Sequence, residues 1–223
     1  MTAKLSLPHL IREPLTPSEA NPPLLVLAHG YGSNEQDLID LADYLDDRFF
    51  VVSVRAPLSM GGGAYAWYPL NFTATGIEHK HAEAEAGWKA LSTFVDEAKS
   101  VYPVDGDRVY LGGFSQGGIM SLAVGVMHPE KVAGVVVMSG LMLPEAAASA
   151  VRGGDRRLPV FAAHGKWDEV IPVDFGRQIS EQVKGLPVDV TYREYPMGHQ
   201  VSGESLANVD AWLRTHLNGK AAS

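Results

Sequence analysis

A serine stands between two glycines in the segment Gly113-Phe114-Ser115-Gln116-Gly117. Small residues two positions before and after a serine permit a sharp turn from a strand into a helix, and such a turn exposes the serine hydroxyl as a nucleophile. The apolar residues Val109-Tyr110-Leu111 predict a strand before the segment, and apolar residues at helical spacing over 116–127 predict a helix after it. A glycine-rich turn that simply begins a helix is the alternative, but this context favours a nucleophile.

A serine hydroxyl needs a general base, and the base needs an acidic residue that fixes its tautomer. In hydrolases with such a turn, the acid and then the histidine follow the serine along the chain, each after a late strand. Asp168 follows the apolar run 160–163, and His199 follows the predicted strand 188–194. We therefore predict Asp168 as the acid and His199 as the base. The neighbouring Glu169 is the rival acid, and we interpret it as a solvated loop charge.

Two further histidines, His29 and His164, each end a predicted strand beside a glycine. Both could approach the site, but neither has the place of the base in the chain order. We interpret them as structural loop residues. The other histidines are interpreted as surface or helix-end residues, namely His9, His79, His81, His128 and His216.

Acyl transfer also requires N–H donors for the negative charge that develops on the carbonyl oxygen. The backbone N–H of Gln116 directly follows the nucleophile, which is the usual place of one donor. The residues His29-Gly30-Tyr31-Gly32 follow the first predicted buried strand. We predict the Tyr31 N–H as the second donor, while a tight turn at this glycine pair is compatible with the same role.

Short β-branched runs alternate with longer amphipathic stretches along the chain, a pattern typical of parallel strands joined by crossover helices. The fold class is therefore α/β, with a doubly wound, mostly parallel sheet and flanking helices. The 223 residues are expected to form one domain over 1–223, with a frayed tail at 219–223. The predicted strands are residues 24–28, 49–54, 108–112, 132–138, 160–163 and 188–194, and the predicted helices are residues 34–47, 79–101, 116–127, 144–150, 173–184 and 201–216.

A long segment rich in aromatic residues, 57–76, shows no sustained period and is predicted to be a loop. Long ordered loops in compact domains are usually functional, so this segment is a candidate wall of a substrate pocket. Aromatic and methionine side chains pack into cores just as often, and that alternative stays open. The candidate pocket residues are Tyr65, Trp67, Tyr68 and Phe72 from this segment, Leu141, Met142 and Leu143 after the strand 132–138, and Val170 and Ile171 beside the acid.

Composition excludes several classes of protein. A formal net charge of −8, with no basic run longer than Arg156-Arg157, argues against nucleic-acid binding. The absence of cysteine excludes disulfides, thiolate metal sites and a cysteine nucleophile. Residues 1–14 lack the apolar segment of a signal peptide, and the longest apolar run is too short to span a bilayer of about 30 Å. We expect a cytoplasmic monomer or homodimer without integral membrane association.

These segments together resemble the phospholipase/carboxylesterase family of α/β-hydrolases, which includes acyl-protein thioesterases and small bacterial carboxylesterases. The resemblance covers nearly the whole chain, and residues 33–38 look like the bacterial carboxylesterase branch. It implies an α/β-hydrolase fold without a large cap domain, and hydrolysis of an ester or thioester without a metal or organic cofactor. The resemblance rests on His29-Gly30-Tyr31-Gly32, Arg55-Ala56-Pro57, Trp67, the segment 113–117, His164-Gly165 with Asp168, and Gly198-His199.

The sequence thus predicts a serine carboxylesterase that hydrolyses short- to medium-chain esters of small molecules through an acyl-enzyme on Ser115. Hydrolysis of thioesters is an alternative, because the same nucleophile and oxyanion hole serve esters and thioesters. Hydrolysis of lysophospholipids is another, since the exposed apolar residues of 58–72 could dock on a lipid surface. A catalytically silent binding module is the alternative of another class. The presence of a serine, an acid and a histidine in the required order argues against a silent module.

Overall fold

The computed structural model describes residues 5–16, 20–73, 76–154 and 156–218, with only the backbone described at 72, 73, 76 and 77. The predicted frayed tail at 219–223 lies outside these residues. The strands are β1 (His9–Arg12), β2 (Pro23–Ala28), β3 (Phe50–Val54), β4 (Leu58–Gly61), β5 (Ala64–Ala66), β6 (Asn71–Thr73), β7 (Gly76–Glu78), β8 (Asp105–Phe114), β9 (Gly134–Met138), β10 (Leu158–Gly165) and β11 (Val188–Tyr195). The helices are α1 (Glu35–Ile39), a 3-10 helix (Asp40–Tyr44), α2 (His81–Val101), α3 (Gln116–Met127), α4 (Pro144–Ser149), α5 (Val173–Gln182) and α6 (Gly203–Asn218).

The central sheet has the strand order β1-β3-β2-β8-β9-β10-β11. The edge strand β1 pairs antiparallel with β3, and all other neighbours in this sheet are parallel. Parallel neighbours require crossover connections, which the helices provide. The structure therefore confirms the predicted α/β class with a doubly wound, mostly parallel sheet.

Helices pack on both faces of this sheet. Along β2, Leu24 and Val26 face a core shared with α2, α3, α4 and α5, whereas Leu25 and Leu27 face a second core shared with α1, the 3-10 helix and α6. Successive side chains of a strand point to opposite faces. Burial on both faces explains why the sequence of β2 is a continuous apolar run and does not alternate with polar residues.

The edge strand β1 is absent from the predicted strands. Its apolar side chains Leu10 and Ile11 are both exposed, so residues 9–12 carry no sequence pattern of burial. Pairing with β3 alone makes this segment a strand. Such pairing between distant segments is not visible in a local pattern.

Two predicted elements differ from the structure. The single predicted helix 34–47 is divided into α1 and a 3-10 helix, because a short run containing Asp40, Asp43 and Tyr44 is a weak helix former. The predicted loop 57–76 contains two short hairpins, β4–β5 and β6–β7. These strands are too short for a period, and every residue of β4 is exposed.

The turn between β4 and β5 depends on glycine. Gly61, Gly62 and Gly63 have φ angles of 84°, 62° and 83°, which lie in the left-handed region. Glycine adopts such angles at no steric cost because it has no Cβ.

None of the helices in the described part of the chain combines the length and the apolar content that a membrane span requires.

Candidate active site

The predicted chemical residues follow the carboxyl ends of parallel strands. Ser115 comes directly after β8, Asp168 lies beyond β10, and His199 lies beyond β11. In a parallel sheet these ends meet at one edge, which is where open α/β sheets bind their ligands. The strand order therefore brings together three side chains that are up to 84 residues apart along the chain.

Ser115 occupies a strained turn between β8 and α3. Its φ and ψ angles are 52° and −121°, although it is not a glycine. Its N–H donates to the Met138 carbonyl at 2.8 Å, and its carbonyl accepts from the Ile119 N–H at 3.0 Å. Strained backbone of this kind persists where the surrounding structure holds it, and it is concentrated at functional sites.

The two glycines of the turn allow backbone segments to touch. A Cβ added to Gly113 would lie 2.4 Å from the Gly117 carbonyl carbon, and one added to Gly117 would lie 1.9 Å from the Ala28 carbonyl oxygen. Neither position has room for a side chain. The start of α3 therefore lies directly against the end of β2 and the loop that follows it.

Replacing Gly117 by alanine should lower the free energy of unfolding by about 3 kcal/mol or more, because the new methyl group would overlap the backbone of Ala28. Thermal denaturation followed by circular dichroism should then show a midpoint about 6–12 °C below that of the wild type. Gly203→Ala is the matched control, since nothing lies within 4 Å of a Cβ added there. A Gly117→Ala midpoint equal to the control's would contradict this close contact.

Ser115, His199 and Asp168 form a chain of hydrogen bonds. His199 Nε2 lies 2.9 Å from Ser115 Oγ, and His199 Nδ1 lies 2.8 Å from Asp168 Oδ2. An ionised carboxylate only accepts, so His199 Nδ1 carries the proton and Nε2 is left to accept from the serine hydroxyl. This is the arrangement that a general base for Ser115 requires.

The loop that carries Asp168 is held from two sides. Asp168 Oδ1 accepts from the N–H groups of Val170 and Ile171 at 3.0 and 2.8 Å, which leaves Oδ2 facing His199. The buried His164 donates from Nε2 to the Ile171 carbonyl at 2.7 Å. His164 Nε2 also lies 3.5 Å from Asp168 Oδ2, so this ring contacts both the acid and its loop, while Glu169 is exposed.

The two predicted oxyanion donors belong to residues beside the nucleophile. Tyr31 and Gln116 both line the cavity onto which Ser115 opens. The preceding Gly30 lies so near that a Cβ added to it would be 3.4 Å from Ser115 Cβ. The Gln116 side chain has a separate role, since it accepts from the Trp67 N–H and donates to the Tyr68 carbonyl, both at 2.8 Å.

The cavity has a volume of about 880 Å³, within the usual range for small-molecule pockets. Burial raises the pKa of the Tyr68 hydroxyl, which therefore stays neutral. At the Tyr68 end, His79 Nε2 pairs with Glu145 Oε1 at 2.7 Å and links the start of α2 to α4. The apolar lining includes Tyr68, Leu70, Phe114, Ile119, Leu141, Met142, Leu143, Val170, Ile171 and Phe175.

Two of the predicted pocket residues do not line the cavity. Trp67 is 1% exposed and packs in the core, where its Nε1 donates to the His29 carbonyl at 3.0 Å. Tyr65 lies 4.6 Å from the Arg55 guanidinium and exchanges backbone hydrogen bonds with Gly32 and Ser33. The side chain of Phe72 lies outside the described residues. Tyr68, Leu141, Met142 and Val170 do line the cavity.

Several lining residues were not predicted. Leu70 lies between two hairpins, Ile119 faces the cavity from α3, and Phe175 lies in the first turn of α5. Phe175 and Val170 are substantially exposed at the mouth. Nothing in the local sequence distinguishes these side chains from ordinary apolar residues of a helix or loop, because three separate segments of the chain must pack together to bring them to one cavity.

The sequence is similar to one family of known proteins along most of its length. The model of a family described as Phospholipase/Carboxylesterase matches residues 13–217. Acyl-protein thioesterase 1 of Gibberella zeae is 41% identical over 118 residues, which are 51% of this chain and 50% of that protein. Lysophospholipase-like protein 1 of Mus musculus is 26% identical across 99% of this chain and 98% of that protein. The chain therefore matches about half of the first relative and nearly all of the second.

The fold is also similar to that of solved structures. The crystal structure of esterase PE8 has a TM-score of 0.78 at 29% identity, covering 96% of this chain and 99% of that one. The carboxylesterase from Mesorhizobium loti has a TM-score of 0.80 at 20% identity, covering 94% and 95% of the two chains. At the lower identity the likeness concerns the fold alone. Both comparisons confirm the predicted fold.

Proposed function

Because the chain belongs to the phospholipase/carboxylesterase family of α/β-hydrolases, we propose that it is a serine carboxylesterase with Ser115 as nucleophile. Membership confirms the resemblance found in the motifs and makes the chain a carboxylesterase- or thioesterase-type hydrolase. The observation that carries the finer proposal is the hydrogen-bond chain from Ser115 through His199 to Asp168 beside an apolar cavity.

In the proposed first half-reaction, Ser115 Oγ attacks the ester carbonyl carbon while His199 Nε2 takes the hydroxyl proton. The electron pair of the C=O bond moves onto oxygen, where the N–H groups of Tyr31 and Gln116 stabilise the negative charge. The pair then re-forms the C=O bond, the bond to the alkoxy oxygen breaks, and His199 gives its proton to the leaving alcohol. Asp168 stays ionised and holds His199 throughout.

In the second half-reaction, water attacks the acyl-enzyme carbonyl while His199 takes its proton. The bond to Ser115 Oγ breaks, the serine recovers its proton, and the carboxylic acid leaves. Each step reuses the same hydrogen bonds, so no further residue is needed. In both half-reactions only the neutral His199 ring can act as the base, because Nε2 must accept a proton.

The cavity supports a neutral, apolar substrate. Its lining is mainly apolar, and the residues described around it include Asp37, Glu78 and Glu169 but neither lysine nor arginine. An anionic substrate would meet like charge there without a counter-charge. We therefore propose neutral short- to medium-chain esters as substrates.

A single domain, a cytoplasmic location and a monomeric or homodimeric state remain predictions.

The test is a panel of p-nitrophenyl esters from acetate to palmitate, with thioesters of the same acyl chains and a lysophospholipid as separate arms. We expect ester hydrolysis with an optimum at short to medium chain length, and labelling of the protein by a fluorophosphonate. Faster cleavage of the thioesters or of the lysophospholipid would replace the ester proposal by that alternative. The absence of both hydrolysis and labelling would contradict the proposal that the protein is a serine hydrolase.

Replacing Leu141 by tryptophan should shift the preference toward shorter acyl chains, because a larger side chain would fill part of the cavity that Leu141 lines. Groups that exceed a pocket typically cost 10-fold or more in specificity, so kcat/KM for p-nitrophenyl octanoate should fall about tenfold relative to acetate. Leu58→Trp on the exposed strand β4 is the matched control. Equal losses on both esters would show that Leu141 does not contact the acyl chain.

A further inference from the structure

His29 is a fully buried titratable residue that the proposed reaction does not use. It is the first residue after β2, and it is 0% exposed. Both ring nitrogens are bonded to backbone: Nδ1 lies 2.7 Å from the Gly30 carbonyl oxygen, and Nε2 lies 3.0 Å from the Ala56 nitrogen. A buried imidazole with two backbone partners is held in one orientation.

The partners determine the tautomer of His29. The Ala56 N–H can only donate, so Nε2 accepts, and the Gly30 carbonyl can only accept, so Nδ1 carries the proton. A charged ring would place a second N–H against that of Ala56. Burial lowers the pKa of His29, and this effect exceeds the opposing ones of the bond to Gly30 and the charges of Asp37 and Glu35. The neutral Nδ1–H form therefore persists.

This bond orients the peptide that joins Gly30 to Tyr31. The Gly30 carbonyl and the Tyr31 N–H belong to one planar trans peptide and point in opposite directions. The carbonyl accepts from His29 Nδ1 and also from the Ser33 N–H at 3.2 Å. Since the carbonyl is held on one side, the Tyr31 N–H is held pointing the other way, and Tyr31 lines the same cavity as Ser115.

The backbone of His29 ties the same loop to the other half of the site. Its carbonyl accepts from Trp67 Nε1 at 3.0 Å, and the Trp67 N–H donates to the side chain of Gln116. A Cβ added to Gly117 would lie 2.6 Å from the His29 carbonyl oxygen. One connected set of contacts therefore links the loop of Tyr31 with the start of α3.

We infer that His29 is a positioning residue, which orients the Tyr31 N–H toward the oxyanion that forms when Ser115 attacks. The inference rests on the proposed function. It assigns His29 a kinetic role that would be expressed only when the carbonyl oxygen becomes negatively charged. A purely structural histidine would affect the stability of the fold without affecting this charge.

The test compares two amide replacements. In His29→Asn the side-chain nitrogen lies near the place of Nδ1 and can still donate to Gly30, whereas in His29→Gln the amide reaches toward Ala56 and leaves Gly30 without this donor. Loss of a whole oxyanion donor costs about 10²–10³ in kcat, so a misoriented one should cost about 10–100-fold in His29→Gln, with KM nearly unchanged. His29→Asn should retain most of the activity.

A trifluoromethyl ketone, which forms an oxyanion on the active serine, provides a second readout. Its inhibition constant should rise in His29→Gln by the same factor as kcat falls, while that of the product acid should not change. The inference would be overturned if both variants lost the same factor in kcat, if that loss followed their melting temperatures, and if the ketone bound both as tightly as the wild type. Imidazole ¹⁵N shifts of the wild type that report an Nε2–H tautomer would also overturn it, and this measurement needs no variant.

These results are separable from failure of the proposed function. A wild type that neither cleaves esters nor binds the ketone would remove the reaction itself. A wild type that does both, together with a His29→Gln variant of unchanged kcat, would remove only the role of His29.

Discussion

Replacing Ser115 by alanine should lower kcat for p-nitrophenyl esters by about 10⁶, the magnitude expected when the nucleophile of a serine triad is lost. Without Oγ no acyl-enzyme forms, and His199 has no hydroxyl to deprotonate. The residual rate over water would come from substrate binding and the oxyanion donors alone. Initial rates should be measured at saturating substrate, with active-site titration to exclude traces of wild type.

Ser121→Ala is the matched control for this experiment. Ser121 lies in the same helix, α3, and its buried hydroxyl donates to the Gly117 carbonyl at 2.8 Å. Removing that hydroxyl should leave ester hydrolysis and fluorophosphonate labelling in place, whereas Ser115→Ala should abolish both. Substantial hydrolysis by a correctly folded Ser115→Ala protein would assign the chemistry to another group.

Replacing Asp168 by asparagine should lower kcat by about 10⁴ with little change in KM. The Asn Oδ1 atom can still accept from the N–H groups of Val170 and Ile171, so the loop should keep its shape. The Asn Nδ2 atom would then donate toward His199 Nδ1, which would hold the ring in the tautomer with the proton on Nε2. In that tautomer His199 cannot accept the proton of Ser115.

Two companion variants make the Asp168 result specific. Glu169→Gln changes the rival carboxylate and should cost far less activity, because Glu169 is exposed and His199 bonds to Asp168. Asp189→Asn changes an exposed carboxylate on β11, where a surface ion pair with Arg157 contributes little. A larger loss in Glu169→Gln than in Asp168→Asn would reverse the assignment of the acid.

The order of the main helices and of the six strands of the parallel part of the sheet was predictable because each has a strong local pattern. The runs that became β2 and β9 are continuously apolar, and that of β3 is interrupted only by the buried Ser53; burial on both faces of a parallel sheet favours such runs. The turn at 113–117 is similarly local, since its glycines are needed where backbone segments touch. The strand β1 and the hairpins of 58–78 have no such pattern, because pairing alone defines them.

The amino-acid sequence by itself determined the fold class, the family and the residue types that the site brings together: a serine in a glycine turn, followed by an acid and a histidine after late strands. Tertiary structure decided which neighbours of these residues touch the cavity. Of three candidates within four consecutive positions, Tyr68 lines it, whereas Trp67 enters the core and Tyr65 stacks on Arg55. A local pattern records residue type and period, but the partner of a side chain is set only when separate elements pack together.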